Sequence, residues 1–371
     1  MTQDDTPTGP EIPLADRFRR LIRNTGPMSL ATFMGESNAR YYGRADPLGR
    51  NREGTSGGDF VTAPEISQMF GELIGLWLAD IWVRAGRPDP VHYVELGPGR
   101  GTLAKDALRS ARKYGLEPRI HFVEISQPLK DIQLEMLPGA IWHDDVSTLP
   151  MDYPLLVVAN EFFDALPVRQ LVKTPDGWRE RMVALDENDA FMFAAGTQVM
   201  DAAVPEGQRD AEVGTIVETC PAAAAIAFEL AGRLAEQNGC ALFVDYGYDT
   251  PRNEPRTGST LQAVQAHKKV GPFDAPGAAD MTAHVDLGTL ARIAQSRDVK
   301  HLGTVGQGKW LHTLGIAARA EALKRAAPHY RAEIDTALQR LTAPDAMGNL
   351  FKVMGLVSQN WPEGAGFAPE D

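Results

Sequence analysis

The stretch Val94-Glu95-Leu96-Gly97-Pro98-Gly99-Arg100-Gly101-Thr102-Leu103-Ala104-Lys105 decides how this chain of 371 residues folds. Val94-Glu95-Leu96 reads as the end of an apolar strand, Gly97 to Gly101 as a turn, and Thr102 onward as the opening of a helix. Glycines let backbone approach a ligand without a Cβ clash. The helix start offers free N–H groups and positive potential. Dinucleotide turns require the spacing G-x-G-x-x-G. Here the third glycine comes one residue early and Thr102 holds the later position, which argues against NAD. A carboxylate at Glu95 would also repel a pyrophosphate, whereas it suits an amino group.

Outward from this loop, short apolar runs alternate with helical stretches. Strands are expected at Val91–Glu95, Ile120–Glu124, Ala140–His143, Leu155–Ala159 and Cys240–Asp245, with helices at 101–114, 127–137 and 221–238. That alternation implies an α/β, Rossmann-like, mostly parallel sheet with helices on both faces. Ligands then bind at the carboxyl ends of the strands. Glu124 ends the second strand, roughly 20 residues beyond the loop, where an acid accepts both ribose hydroxyls. The third strand ends at His143-Asp144-Asp145, and Asp145 could meet an adenine amino group, with Val146 beside the ring. An amino group at Glu95, a ribose at Glu124 and an adenine at Asp145 together describe S-adenosyl-L-methionine.

The fourth strand runs into Asn160-Glu161-Phe162-Phe163-Asp164-Ala165-Leu166-Pro167. Methyl transfer to nitrogen needs a lone pair aligned with the S–CH₃ bond. The Asn160 C=O can hold a substrate N–H and aim that lone pair. Glu161 or Asp164 can pair with a guanidinium and take its proton. Phe162 or Phe163 can line the pocket and favour a cation over the ring face, the other being a core residue. Asp164 could equally cap the next helix.

The remainder bounds the function. The net charge of -12 does not attract nucleic-acid backbone by bulk charge. No apolar run spans a bilayer, so membrane insertion is not expected. Met1 to Pro10 is polar and acidic and matches neither a secretory signal nor a transit peptide, which makes cytoplasmic the expected location. Cys220 and Cys240 have no Cys or His at metal-ligand spacing, so no metal is expected and both read as buried thiols. Gly303-Thr304-Val305-Gly306-Gln307-Gly308-Lys309-Trp310 has P-loop spacing, but Trp310 stands where Ser or Thr must reach Mg²⁺, and no helix clearly follows. Pro64 should open an apolar helix over 65–85, which could bury itself or serve a homodimer. Helices are also expected at 14–24, 28–42, 286–296, 315–326 and 328–342, with a late strand at 351–357.

Five segments together resemble one family, the MidA-like class I methyltransferases, which include the mitochondrial complex I assembly arginine methyltransferase. They are Asp59 to Glu72 (DFVTAPEISQMFGE), Glu95 to Gly101, Asn160 to Pro167, Phe243 to Tyr248 (FVDYGY) and Asp280 to Asp286 (DMTAHVD), in the family's order over about 30–357. Leu287 and Cys220 depart from it, where an aromatic residue and a Ser are common. The resemblance implies a class I core binding S-adenosyl-L-methionine. It also implies symmetric dimethylation of an arginine on a respiratory complex I subunit during assembly. By resemblance, 59–68 closes over the cofactor with Thr62, Pro64 and Glu65 near it. The expected organisation is a disordered 1–11, a helical lid segment 12–90, a core of 91–167 and 217–357, a substrate insertion 168–216, a loop insertion 248–285 and a tail 358–371.

The expected cofactor contacts are thus Thr62, Pro64, Glu65, Glu95, Gly97, Gly99, Gly101, Glu124, Asp145 and Asn160. Asn160, Glu161 and Asp164 are the expected catalytic residues. Phe162, Phe163 and His284 are expected on the substrate side, where His284 could orient substrate or simply be a bonded loop histidine. A methyltransferase for another nitrogen compound, and an assembly factor that binds the cofactor without turnover, are the alternatives. A closed pocket would mark the first, and binding without transfer the second.

Overall fold

Strands buried on both faces read as continuous aliphatic runs, and the computed structural model, which describes residues 12–44, 62–204, 206–249 and 256–367, forms them where those runs lie. The core strands are β1 (His92–Leu96), β2 (Arg119–Val123), β3 (Ile141–His143), β4 (Leu155–Asn160), β5 (Gly239–Tyr248), β6 (Val299–Gly306) and β7 (Phe351–Ser358). Their order is β3-β2-β1-β4-β5-β7-β6. β1 to β5 pair in parallel, and β7 lies antiparallel to both β5 and β6. The chain leaves β1 toward β2 and β3 and later returns on its other side with β4. That reversal opens a crevice at the carboxyl ends of β1 and β4.

Alternate residues of the central strands divide between two cores. Tyr93, Leu156, Val158 and Leu242 join helices Gln68–Arg84 and Thr102–Ala111 on one face. Val94, Val157, Ala159 and Phe243 join helices Pro221–Gln237 and Leu287–Gln295 on the other. The expected helix 65–85 is broken at Ser67. A short helix, Ala63–Ile66, precedes it, and Ser67 is extended with its side chain accepting the Met69 N–H at 3.2 Å. Phe70, Ile74, Trp77 and Ile81 are spent in the core rather than on a dimer face.

Strand β6 was not expected. Lys300, His301, Gly303, Thr304 and Gly306 break any apolar alternation, and the strand lies at the sheet edge. A helix does follow it, Gln307–Thr313, contrary to expectation. Gly308 nevertheless packs on the Thr342 carbonyl and Trp310 is fully buried, so nothing is left for a phosphate.

The 168–216 insertion is a meander of Arg169–Thr174, Gly177–Leu185 and Phe191–Val199, with Ile216–Thr219 beside the first strand. The 248–285 insertion was expected to be irregular, yet holds a small sheet of Gln262–Gln265, Lys268–Val270 and Asp280–Thr282. From 359 to 367 the chain is packed: Trp361 and Phe367 are buried, and Trp77 Nε1 donates to the Ala365 carbonyl at 3.0 Å. Cys220 and Cys240 are free thiols. Among the described residues no helix is long and apolar enough to cross a membrane. The expected disorder of 1–11, most of the Gly43–Asp59 loop, 250–255 and 368–371 lie outside the described residues.

Candidate active site

The crevice holds a cavity of about 440 Å³, within the size range of cofactor sites. Its floor is the loop after β1. Gly97, Gly99 and Gly101 have φ of +57°, +54° and +81°, a region L side chains avoid. A Cβ on Gly97 would sit 2.8 Å from the Phe162 ring. Gly97 and Gly99 face the cavity, whereas Gly101 caps the helix start outside it. Glu95 faces the cavity and is only 2% exposed. It accepts the Tyr93 hydroxyl at 2.5 Å, and burial raises its carboxyl to about 8. A buried carboxylate with one neutral donor favours a cationic partner.

Glu124 follows β2 on the cavity wall. It accepts the Ser126 N–H at 2.8 Å and the Gln133 amide at 3.3 Å, and burial raises its carboxyl. The fully buried Gln133 also donates to the Gly99 carbonyl at 2.7 Å and accepts Trp142 Nε1 at 2.8 Å. One side chain therefore fixes the loop and Glu124 relative to each other. Ile125, 70% exposed, and Leu129 present apolar surface to the same cavity. Asp145 does not line it. Its carboxylate accepts the Ser147 N–H at 2.8 Å and caps the turn Val146–Thr148.

The turn after β4 supplies the reactive wall. Asn160 and Glu161 line the cavity with Phe162. Asn160 Nδ2 lies 3.3 Å from Glu161 Oε1, while Asn160 Oδ1 is buried with no hydrogen-bond partner among the described residues. Glu161 adopts φ +50°, a strained position for a non-glycine residue. It accepts the Ala63 N–H at 3.1 Å, and burial raises its carboxyl to about 7. Asp245 at the end of β5 holds this turn in shape. Its Oδ2 accepts the N–H groups of Phe162 (3.2 Å), Phe163 (2.9 Å) and Asp164 (3.3 Å). Asp164 is buried behind the turn, off the cavity lining, and burial with the charges of Asp245 and Asp280 pushes its carboxyl up. Phe163 is 2% exposed and packs 4.9 Å from Phe243, so it is the core member of the pair.

Two N-terminal segments roof the cavity. Thr62, Pro64 and Glu65 line it, and Thr102 Oγ1 donates to Glu65 Oε1 at 2.5 Å. The helix Leu30–Arg44 adds Asn38 and Tyr42, which the sequence reading did not single out. Asn38 Nδ2 donates to the carbonyls of Ala165 (2.9 Å) and Met281 (2.8 Å). Tyr42 donates its hydroxyl to Asp280 at 2.7 Å, and its carbonyl accepts Ser126 Oγ at 2.8 Å. His284 lies elsewhere, on a separate cavity of about 160 Å³ behind Phe163. Its ring sits 3.3 Å from both the Arg256 guanidinium and the Gln262 amide.

These residues fit S-adenosyl-L-methionine. Glu95 offers a carboxylate to an ammonium group, Glu124 offers acceptors to hydroxyls, Ile125 and Leu129 offer a face to a base, and Asn160 Oδ1 is an acceptor unused among the described residues.

The comparisons agree. Residues 73–305 match the profile of a family described as S-adenosyl-L-methionine-dependent methyltransferase. The chain is 34% identical to the mitochondrial protein arginine methyltransferase NDUFAF7 of Xenopus tropicalis, over 94% of this chain and 87% of that protein. It is 35% identical to the Homo sapiens protein of that name, over 94% and 84%. A Burkholderia thailandensis crystal structure bound to S-adenosyl-homocysteine superposes with a TM-score of 0.81 at 29% identity, covering 94% of this chain and 92% of that one. The class I methyltransferase fold and the cofactor are thereby established. The cytoplasmic expectation is overturned, because these relatives are named mitochondrial. It rested on the lack of a recognisable pattern in Met1 to Pro10, and such a lack does not fix a compartment.

Proposed function

The chain belongs to the S-adenosyl-L-methionine-dependent methyltransferases, and from that premise we propose that it methylates an arginine side chain of a protein. The observation that carries this reading is the unpartnered Asn160 Oδ1 beside the buried Glu161 in one cavity wall. A buried acceptor without a donor costs stability unless a ligand supplies one. A guanidinium brings several N–H donors and a positive charge to that place.

The residues divide the work as follows. When bound, S-adenosylmethionine supplies an electrophilic methyl group. Glu95 pairs with the ammonium of its methionine part, Glu124 accepts ribose hydroxyls, and Gly97 and Gly99 leave room for the ligand. Thr62, Pro64 and Glu65 cover it. Asn160 Oδ1 accepts a guanidinium N–H and orients the attacking nitrogen. Glu161, raised to about 7, takes the proton lost from that nitrogen. Phe162 faces the acceptor. Asp164 contributes negative potential from behind the turn. The roles of Gly101, Asp145 and Phe163 are placement of the helix, the third strand end and the core. His284 serves the 160 Å³ cavity behind Phe163.

The names of the relatives and the five ordered motifs support the arginine. The same resemblance supports a respiratory complex I subunit as the partner during assembly, with symmetric dimethylarginine as product. In this organisation the helix Leu30–Arg44 and the segment 62–65 roof the core of 91–167 and 217–357.

The test is Glu161→Gln, assayed for cofactor affinity by calorimetry and for transfer with methyl-labelled cofactor. Retained affinity with lost transfer is expected. Wild-type transfer would remove Glu161 from the chemistry.

A further inference from the structure

Three imidazoles stand in a row across the first three strands. His92 opens β1, His121 lies within β2 and His143 closes β3. Asp152 Oδ1 is 2.8 Å from His92 Nε2, and His92 Nδ1 is 2.9 Å from His121 Nε2. His121 Nδ1 is 3.0 Å from His143 Nε2, and His143 Nδ1 is 3.0 Å from Thr148 Oγ1. Thr148 Oγ1 is in turn 2.8 Å from the Asp145 carbonyl oxygen.

Each contact needs one hydrogen between its heavy atoms. The ends of the row, the Asp152 carboxylate and the Asp145 carbonyl, can only accept. A neutral imidazole brings one N–H, and threonine brings one O–H. The five contacts therefore face four hydrogens if all three rings are neutral. One added proton completes the row in a single arrangement. Thr148 then donates to Asp145, each ring donates from Nδ1 to its successor, and His92 donates also from Nε2 to Asp152.

We propose that this row holds one proton more than three neutral rings, carried by His92 against Asp152, and that losing it opens the latch between the Thr148 hydroxyl and the Asp145 carbonyl. Without the proton, the one arrangement that keeps Asp152 and every ring nitrogen bonded runs in reverse, because only the Thr148–Asp145 contact involves no ring nitrogen. Thr148 donates to His143 Nδ1, each ring donates from Nε2 toward β1, and His92 Nε2–H meets Asp152. Four hydrogens then make four bonds, and the Asp145 carbonyl loses the Thr148 hydroxyl while keeping the Thr148 N–H at 3.2 Å. That turn follows β3, whose His143 carbonyl accepts the N–H of Glu124 at 3.0 Å, so the row runs up to a residue of the cavity wall.

In the completed row only His92 carries hydrogen on both nitrogens, one toward Asp152 and one toward His121. Burial pushes His121 down to about 4 and lowers His143, so both favour the neutral form. Around His92 lie Asp152, Arg119 at 3.9 Å from that carboxylate, and the Tyr153 ring at 5.6 Å. Around His143 lie Asp144 and Arg233, the latter bound to the Ser147 and Leu149 carbonyls.

The experiment is long-range ¹H–¹⁵N correlation on the full chain labelled in histidine, across pH. At the acid end His92 should carry hydrogen on both nitrogens, with His121 and His143 protonated at Nδ1. On raising pH all three rings should switch together to Nε2–H. Nε2–H tautomers for His121 and His143 at every pH, or rings that change separately, would overturn the proposal. Asp152→Asn is the control, at an exposed position. Its amide can donate to His92 Nε2 and supply the fifth hydrogen, so the Nδ1–H tautomers should persist with a neutral His92. A concerted switch in that variant at the wild-type pH would also overturn the latch.

Discussion

Changing Glu95 to Gln tests what the buried acid in the cofactor loop does. Glutamine keeps the volume and can still accept the Tyr93 hydroxyl, so the fold should hold. What disappears is the negative charge opposite the ligand's ammonium. A hydrogen bond to a charged group contributes about 1.5–3 kcal/mol. At 1.4 kcal/mol per factor of ten, affinity should fall about 10- to 140-fold above pH 8, where the carboxyl is already ionised, and about tenfold less at pH 7. Because the free carboxyl is raised to about 8, it is largely protonated at pH 7 and must release its proton when the cation binds. Calorimetry at pH 7 in buffers of different ionisation enthalpy should therefore detect proton release in the wild type and less in Glu95→Gln. S-adenosylmethionine and S-adenosylhomocysteine share the amino group and differ at the sulfur, so both should weaken equally. Unchanged affinity, or loss confined to S-adenosylmethionine, would refute the placement of Glu95 at the amino group.

Gly99→Val should abolish cofactor binding, because φ +54° resists a β-branched residue and the side chain would fill ligand space; titration with S-adenosylhomocysteine checks it. Phe163→Ala should cost about 3–5 kcal/mol in chemical denaturation, as core aromatic truncations do, whereas Phe162→Ala should leave stability nearly intact and impair transfer. Glu95, Glu161 and Asp245 are raised by burial to about 8, 7 and 8, so the folded chain holds protons that the unfolded chain releases near pH 4 to 5. Their contribution is full below that range and is lost as pH rises through 7 to 8, so the ligand-free unfolding temperature should fall from about pH 5 to pH 8. A rise over that interval in thermal scans would contradict these burials.

Much of this was legible because central strands and the cofactor loop are local signals. Leu155 to Ala159 is buried on both faces and reads as such, and the glycine spacing at 97–101 separated two cofactors. What the sequence hid was non-local. Gln133 gains its importance from bonds to Gly99, Glu124 and Trp142, and nothing in its own helix marks it. Asp245 stands 81 residues beyond the Asp164 N–H it accepts. Strand β6 carries edge-strand composition, and the sheet at 262–282 sits in a stretch whose glycines and prolines suggested a loop. The three histidines lie in separate strands, and only the parallel register sets them in line.

Identifying the amino acid that receives the methyl group tests the central claim most directly. The wild-type chain and methyl-labelled S-adenosylmethionine would be incubated with mitochondrial protein extract, and the acid hydrolysate of the labelled protein separated. Label in methylated arginine, absent with Glu161→Gln, is the expected result. Label in any other amino acid, or none in protein while the cofactor binds, would contradict arginine methylation and leave a methyltransferase with a different acceptor.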